Sequence, residues 1–437
     1  MSPRKRRARK PRVYRIPVES YLIALAAAFA FSVAISLLNR PVEVDYDLPH
    51  VFGVRDPTFL PSAQAIDVPS AVRGNRVSIL ANGVEILPAM LSAIAAAQKS
   101  VNMEAYIFWS DEVGAQFRDA LTERASHGIE VRLLLDGVGS AKRFSKSDLE
   151  ILRRAGCRVE FFRPVRPWML DVINNRTHRR ILVVDGKVGF TGGVGIAKMW
   201  AGNADSPEHW RDTQVKIEGP VVAQMQAAFQ ENWSEVTGEL LVGDKYFPAL
   251  PVAGDVVAAV VPSSPRPSSS ANQTLYAVAI SAAEHSISIS NSYFVPNQAA
   301  VALLSAACQR GVNVRILVPG EINDVPMTKA SGRSSFGDLL RAGAKIYEYQ
   351  PTMMHAKTMI VDDTFATVAS TNFDHRSFRY NDEINLAVYD RGIAQRLEKM
   401  FESDLQKSRR YTYEQWVDRP MFKRFTEWIL LPVRSQL

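Results

Sequence analysis

The sequence predicts an α/β protein made of two tandem halves, each a mixed β-sheet covered by helices, behind an N-terminal apolar helix. Three observations carry that reading. Short apolar runs such as Val131 to Leu135 alternate with segments of helical spacing, such as Ile86, Leu87, Met90, Leu91 and Ile94. The alternation occurs twice with matching landmarks. Gly128-Ile129-Glu130-Val131-Arg132-Leu133 matches Gly311-Val312-Asn313-Val314-Arg315-Ile316, and Ala96-Ala97-Gln98-Lys99-Ser100-Val101 matches Ala282-Ala283-Glu284-His285-Ser286-Ile287. Finally, Ser20 through Leu38 contains no charged residue.

Taken in order, residues 1–19 form a basic tail with eight Lys or Arg and one Glu. The segment 20–38 would rise about 28 Å as a helix, close to the roughly 30 Å of bilayer hydrocarbon. A transmembrane helix is the leading reading. A cleaved signal peptide, with Ser32-Val33-Ala34 as the small-residue site, is its rival. The positive-inside rule places the tail in the cytoplasm and the body of a single-pass protein on the other side of the membrane. Residues 39–75 read as a linker.

The first half, 76–250, opens with a strand at Arg76 to Leu80 and a turn at Asn82-Gly83. A helix, a strand over Val101 to Phe108, and a helix marked by Val113, Phe117 and Leu121 follow, the last ended by Gly128. Between Phe162 and His178 this half carries ten more residues than the second has between Tyr349 and His355. That insertion reads as a surface loop. The second half, 251–415, begins with a strand at Val256 to Val261 and a Pro- and Ser-rich run. The last element, 416–437, reads as an amphipathic helix with Asp418 as N-cap and Phe422, Phe425, Trp428 and Ile429 on one face. Such a face suits either a membrane surface or packing on the body.

Chemistry concentrates in two stretches. Met354-His355-Ala356-Lys357 runs on to Asp362, and Thr177-His178-Arg179-Arg180 runs on to Asp185. On a strand, residues two apart share a face, so His355 sits beside Lys357 and His178 beside Arg180. An imidazole next to a fixed cation suits phosphoryl chemistry. Asp185 and Asp362 lie seven residues beyond each His and fall on the opposite face, so they read as structural braces. Asp212 and Glu383 match across the repeat and are better candidates for orienting the imidazoles. The alternative for both is an ordinary carboxylate at a strand end.

Paired His-x-Lys-type motifs in a duplicated chain resemble the phospholipase D superfamily, most closely its bacterial cardiolipin synthases. The resemblance covers roughly residues 75 to 437. It rests on the run from His178 to Gly186, His209-Trp210-Arg211-Asp212-Thr213, Asn291-Ser292-Tyr293-Phe294-Val295-Pro296 and Asn372-Phe373-Asp374-His375-Arg376-Ser377. It implies two phospholipase D-like α/β/α sandwich halves. It implies a membrane-anchored phosphatidyltransferase of the bacterial inner membrane, working through a phosphohistidine intermediate. His178 would be the nucleophile and His355 the acid, with Arg180 and Lys357 at the phosphate and Ser370 and Asn372 adding hydrogen bonds there. Phosphatidylglycerol is the implied substrate, with phosphatidylethanolamine a further candidate; no cofactor or metal is implied. A hydrolase on the same site, or a non-catalytic lipid-binding scaffold, are the alternatives. Two departures stand out in the first half: Arg180 replaces the usual Lys, and Gly195 stands where the second half has Asn372.

The formal charge of +7 resides in the tail; residues 20–437 carry 44 basic and 44 acidic side chains. A neutral body argues against a nucleic-acid partner, which asks for a basic footprint. The two cysteines, Cys157 and Cys308, lack metal-site spacing and read as small buried side chains.

Overall fold

A computed structural model describes residues 48–64, 68–165, 174–265 and 271–430. The first half contributes β1 (Val72–Ala81), β2 (Ser100–Ala105), β3 (Glu130–Asp136), β4 (Arg158–Phe162), β5 (Arg176–Thr177), β6 (Ile181–Val184), β7 (Val188–Gly192) and β8 (Thr213–Glu218). The second contributes β9 (Val256–Ser263), β10 (Ser286–Ser290), β11 (Asn313–Pro319), β12 (Lys345–Tyr349), β13 (Thr358–Val361), β14 (Phe365–Ala369), β15 (Asn381–Tyr389) and β16 (Ser408–Tyr411). All but β5 lie along one path, β16-β12-β11-β10-β13-β14-β15-β9-β1-β8-β7-β6-β2-β3-β4. Apart from β16, the order reads the same outward in both directions from the β9–β1 junction. The duplication is therefore a repeat of topology as well as of sequence.

Within each half, three strands run parallel: β2-β3-β4 and β10-β11-β12. Helices Glu112–Ser126 and Lys146–Arg154 make the crossovers in the first half. Helices cover both faces of such strands, so β3 reads Glu-Val-Arg-Leu-Leu-Leu-Asp and is buried from Val131 onward. The helix starts carry real caps. Asp111 accepts from the amides of Val113 and Gly114, and Ser145 from that of Asp148. Apart from β5, the remaining strands of each half join antiparallel, which makes the sheet mixed.

The junction is a deliberate irregularity. β1 and β9 pair only at Val72–Ala258 and Asn75–Val256, with the register shifting between them. Gly74 takes a positive φ of 94° there. The buried Asn75 amide donates to the carbonyls of Val72 and Val256, and its Oδ1 accepts from the Val221 amide. A single apolar core then spans the junction. Val77, Ile79, Val215 and Phe229 of the first half pack with Val260, Ile384, Leu386 and Leu397 of the second. Truncating one such side chain to Ala would cost roughly 2–5 kcal/mol. Two outer cores sit on either side, one in each half.

Three local expectations are corrected. Asn82-Gly83 is no turn: Asn82, at φ 56°, leads straight from β1 into the helix Asn82–Ala95. Gly83 is needed because a Cβ there would sit 2.0 Å from the Trp200 carbonyl. The segment 39–75 is more than a linker. Its helix Phe59–Gln64 buries Phe59 and Ala63 against the second half, where Phe59 meets Phe365 edge-on. The last helix runs over Met421–Leu430, after a separate turn of helix at Tyr413–Val417. Among the described residues, no helix is long and apolar enough to cross a membrane. The predicted transmembrane segment 20–38, the basic tail 1–19 and residues 431–437 lie outside the described residues. Cys157 is buried, Cys308 half-buried, and both are free.

Candidate active site

The two histidine motifs meet across the junction. His178 and His355 are buried and line one cavity of about 630 Å³ with Arg180, Tyr106, Trp210, Tyr293, Asn372 and Arg376. The expectation that each His sits on a strand is refined. β6 begins at Ile181 and β13 at Thr358, so both motifs occupy the extended segment just before a strand. The reason lies in their hydrogen bonds. The His178 amide donates to the Asp382 carbonyl at 2.8 Å and the His355 amide to the Arg211 carbonyl at 2.7 Å. Each motif therefore pairs with the other half. β5 pairs in parallel with β15, and Arg211 bridges Met354.

That exchange delivers the carboxylates. Glu383, at the start of β15, meets His178 Nδ1 at 2.8 and 3.0 Å. Asp212, just before β8, meets His355 Nδ1 at 2.7 Å. The carboxylate of each half thus serves the imidazole of the other. A further side-chain donor stands behind each carboxylate, and it differs between the halves. The Ser370 hydroxyl donates to Glu383 and accepts from the Ile384 amide at 2.9 Å. The Trp200 indole N–H donates to Asp212 Oδ2 at 2.9 Å. Ser370, expected at the phosphate, instead stands behind Glu383 with its hydroxyl already committed.

The first-half departures fit this arrangement. Gly193 occupies the position of Ser370, and a Cβ on it would lie 2.1 Å from Asp212 Oδ1. Gly195 occupies the position of Asn372, and a Cβ on it would lie 2.8 Å from the Trp200 ring. Both glycines make room for the Trp200–Asp212 pair. Trp200 lies outside the motifs the sequence singles out, in a short 3-10 turn between β7 and β8 where the second half has the helix His375–Arg379, and only the glycines facing it hint at a bulky neighbour.

The cations differ as well. Arg180 Nη2 lies 2.9 Å from His178 Nε2 and Nη1 donates to the His178 carbonyl at 3.0 Å. A guanidinium only donates, so Nε2 of His178 must present its lone pair and Nδ1 must carry the proton shared with Glu383. Lys357 Nζ donates to the His355 carbonyl and to Ser292 Oγ, both at 2.7 Å, and lies 3.3 Å from His355 Nε2. Ser292 in turn donates to Asn372 Oδ1 at 2.8 Å. Arg180 Nε is buried with no hydrogen-bond partner among the described residues.

Burial and the neighbouring cation both push the imidazoles down. His178 falls to about 4, by burial and Arg180; His355 falls to about 3, by burial and Lys357. Lys357 falls to about 7, chiefly by burial, with Arg180 adding to it against the pull of Asp212. Burial alone would raise Asp212 and Glu383, but the facing imidazoles and cations outweigh it and hold both below their ordinary range. At pH 7 the imidazoles are therefore neutral and the carboxylates ionised.

Asp185 and Asp362 lie away from the cavity, in turns with φ of 55° and 50°. Asp185 accepts from the amides of Gln98, Lys99 and Ser100, and Asp362 from those of Glu284, His285 and Ser286. Each clamps the entry to a parallel strand. Two buried arginines brace the motifs from behind. Arg179 reaches Glu231 at 2.9 Å and Arg211 reaches Asp404 at 2.8 Å. Among the described residues, no cluster of three His, Cys, Asp or Glu side chains could hold a metal ion.

Two His–carboxylate pairs sharing one cavity across a duplicated mixed sheet define a phospholipase D-type enzyme. The family described as the PLD-like domain of cardiolipin synthase matches residues 90–233 and 276–405, and the chain belongs to that family. It is 35% identical over 357 residues to the major cardiolipin synthase ClsA of Bacillus subtilis, covering 81% of this chain and 73% of that one. It is 36% identical over 356 residues to the cardiolipin synthase of Alkalihalophilus pseudofirmus, covering 81% and 70%. The crystal structure of phosphatidylserine synthase from Haemophilus influenzae Rd KW20 has the same fold, with a TM-score of 0.65 at 13% identity over 87% of this chain and all of that one.

Proposed function

We propose that the protein is a membrane-anchored cardiolipin synthase that moves a phosphatidyl group from one phosphatidylglycerol to the hydroxyl of another. The observation that carries this is the cross-half pairing of two imidazoles, each with a carboxylate behind it and a cation beside it, in one cavity. One group can attack phosphorus while the other handles the proton of the alcohol.

His178 is the nucleophile in this reading. The tautomer that Glu383 fixes leaves a lone pair on Nε2, to which Arg180 Nη2 donates and which attacks once that guanidinium turns to the phosphate. Nε2 attacks phosphorus, the bond from phosphorus to the glycerol oxygen breaks, and His355 gives that oxygen a proton. The products are a phosphatidyl-histidine and free glycerol. A hydroxyl of the second phosphatidylglycerol then passes its proton to His355, attacks phosphorus and releases His178. His355 must be protonated for the first half of this cycle. The negative phosphodiester offsets the positive charge of Lys357 and Arg180 and so favours that protonated form. Arg180 and Asn372, which line the cavity, and Lys357, 3.3 Å from His355 Nε2, are the groups proposed for the phosphate oxygens.

The membrane anchor of this reading is the apolar segment 20–38, with the body outside the cytoplasm. Val84 is half-exposed and distant from the chemistry in sequence. A cysteine there should react with an impermeant thiol reagent in spheroplasts; reaction only after lysis would reverse the topology. The activity itself is tested with purified protein, phosphatidylglycerol vesicles and EDTA. Cardiolipin and glycerol in equal amounts are expected. Phosphatidic acid without cardiolipin would make the enzyme a hydrolase.

A further inference from the structure

The helix Met421–Leu430 turns most of its apolar side chains outward. One of its three charged residues, Glu427, is buried and held by Arg419 through both carboxylate oxygens, at 2.9 to 3.1 Å. Four of its large apolar residues face outward: Met421 is 84% exposed, Phe422 67%, Phe425 60% and Trp428 65%, while Leu430 is buried. These positions recur at three- and four-residue spacing and form one stripe. A helix docked on a protein in water turns the opposite way, apolar face in. The surface of this helix therefore suits an apolar medium.

Its position relative to the cavity gives the stripe a purpose. The helix packs on the helix Pro326–Arg333, whose Thr328 lines the cavity together with Val325 just before it. Met327, on the same short helix, is half-exposed. One layer of helix thus separates the stripe from the site. With Glu427 neutralised by Arg419, Lys423 and Arg424 leave the outer helix with two cationic side chains, complementary to anionic headgroups.

We propose that the helix Met421–Leu430 lies in the surface of an anionic phospholipid bilayer, with Phe422, Phe425 and Trp428 among the acyl chains, and that it holds the cavity at headgroup level. The surface claim rests on the helix itself; its use in feeding the cavity rests on the lipid substrate proposed above.

The test uses the full chain in proteoliposomes of phosphatidylglycerol and phosphatidylethanolamine. An environment-sensitive fluorophore is placed on Phe425→Cys in a Cys157→Ser/Cys308→Ser background. Blue-shifted emission, quenched by nitroxides carried near the top of the acyl chains, is expected. Water-like emission would overturn the proposal. So would a blue shift without lipid quenching, which would mean that a second copy or another segment of this chain covers the stripe. A second variant, Phe422→Ser/Phe425→Ser/Trp428→Ser, should lose at least about tenfold of its turnover on vesicles while keeping turnover of short-chain phosphatidylglycerol in detergent micelles. Equal turnover of variant and wild type on vesicles would contradict the feeding role. The quenching needs no turnover, so an enzyme inactive in both formats would sink the proposed reaction and leave the bilayer contact to be decided by fluorescence.

Discussion

Glu383 Oε1 lies 2.8 Å from His178 Nδ1, although the two residues come from opposite halves of the chain. Asp212 stands in the same relation to His355 at 2.7 Å. Neither half alone holds a complete histidine–carboxylate pair, so the two must fold against each other before either imidazole is set.

Removing one carboxylate charge should therefore disable the partner half. Glu383→Gln keeps the size but gives up the charge that fixes the His178 tautomer. Turnover is expected to fall roughly 10²–10⁴-fold, as for carboxylates behind other catalytic imidazoles. Asp212→Asn should behave alike through His355. Steady-state rates with circular dichroism as a folding control make the check; a loss below about threefold in both would show that the carboxylates do not tune the imidazoles.

Lys357 titrates inside the working range. Burial brings it down to about 7, so raising the pH above that removes the cation proposed for the phosphate. The expected kcat/KM falls about tenfold per pH unit on the alkaline side, because that parameter reports free-enzyme groups. Lys357→Arg stays charged and should flatten this limb, whatever it costs in absolute rate. An unchanged alkaline limb in the Arg variant would assign it elsewhere.

Glu104 offers a stability test with a definite sign. It is fully buried against Thr177 and Asn232, and burial raises its carboxyl to about 7. The unfolded chain titrates it near its ordinary value of about 4.3. Between these values the folded state holds more protons, so stability falls as pH rises through the window. Glu104→Gln cannot ionise. It should raise the melting temperature at pH 8 and do so less, or not at all, at pH 5. An equal shift at both values would contradict the assignment.

Gly195→Asn, which copies the second half into the first, should damage the site rather than repair it. The new Cβ would lie 2.8 Å from the buried Trp200 ring. Overpacking of this kind costs about 1–3 kcal/mol. It should also displace the indole from Asp212, lowering activity in parallel with melting temperature. An active, equally stable variant would mean that Gly195 is a dispensable lost donor.

Much of this was legible in the sequence because the duplication repeats both landmarks and chemistry. Matching Asp212 to Glu383 across the repeat identified the carboxylates, but chain spacing says nothing of which imidazole each meets. That is decided by tertiary pairing, β5 with β15 and Arg211 with Met354. Gly195 reads as an absent amide because chain spacing does not show that Trp200, from the turn between β7 and β8, fills the space beside it. Asn82-Gly83 read as a turn because that dipeptide usually makes one, whereas here a single left-handed residue turns a strand into a helix. Ser370 was placed at the phosphate by resemblance; the fold spends its hydroxyl on Glu383.

The most direct test of the account is to stop the reaction halfway. His355→Ala removes the proton carrier needed for the acceptor and should let the phosphatidyl group accumulate on the other imidazole when a donor with a good leaving group is supplied. Alkaline quenching, proteolysis and mass spectrometry then locate it. The account predicts an adduct on His178 and none in His178→Ala. An adduct on His355 in His178→Ala, with none on His178, would contradict the assigned roles.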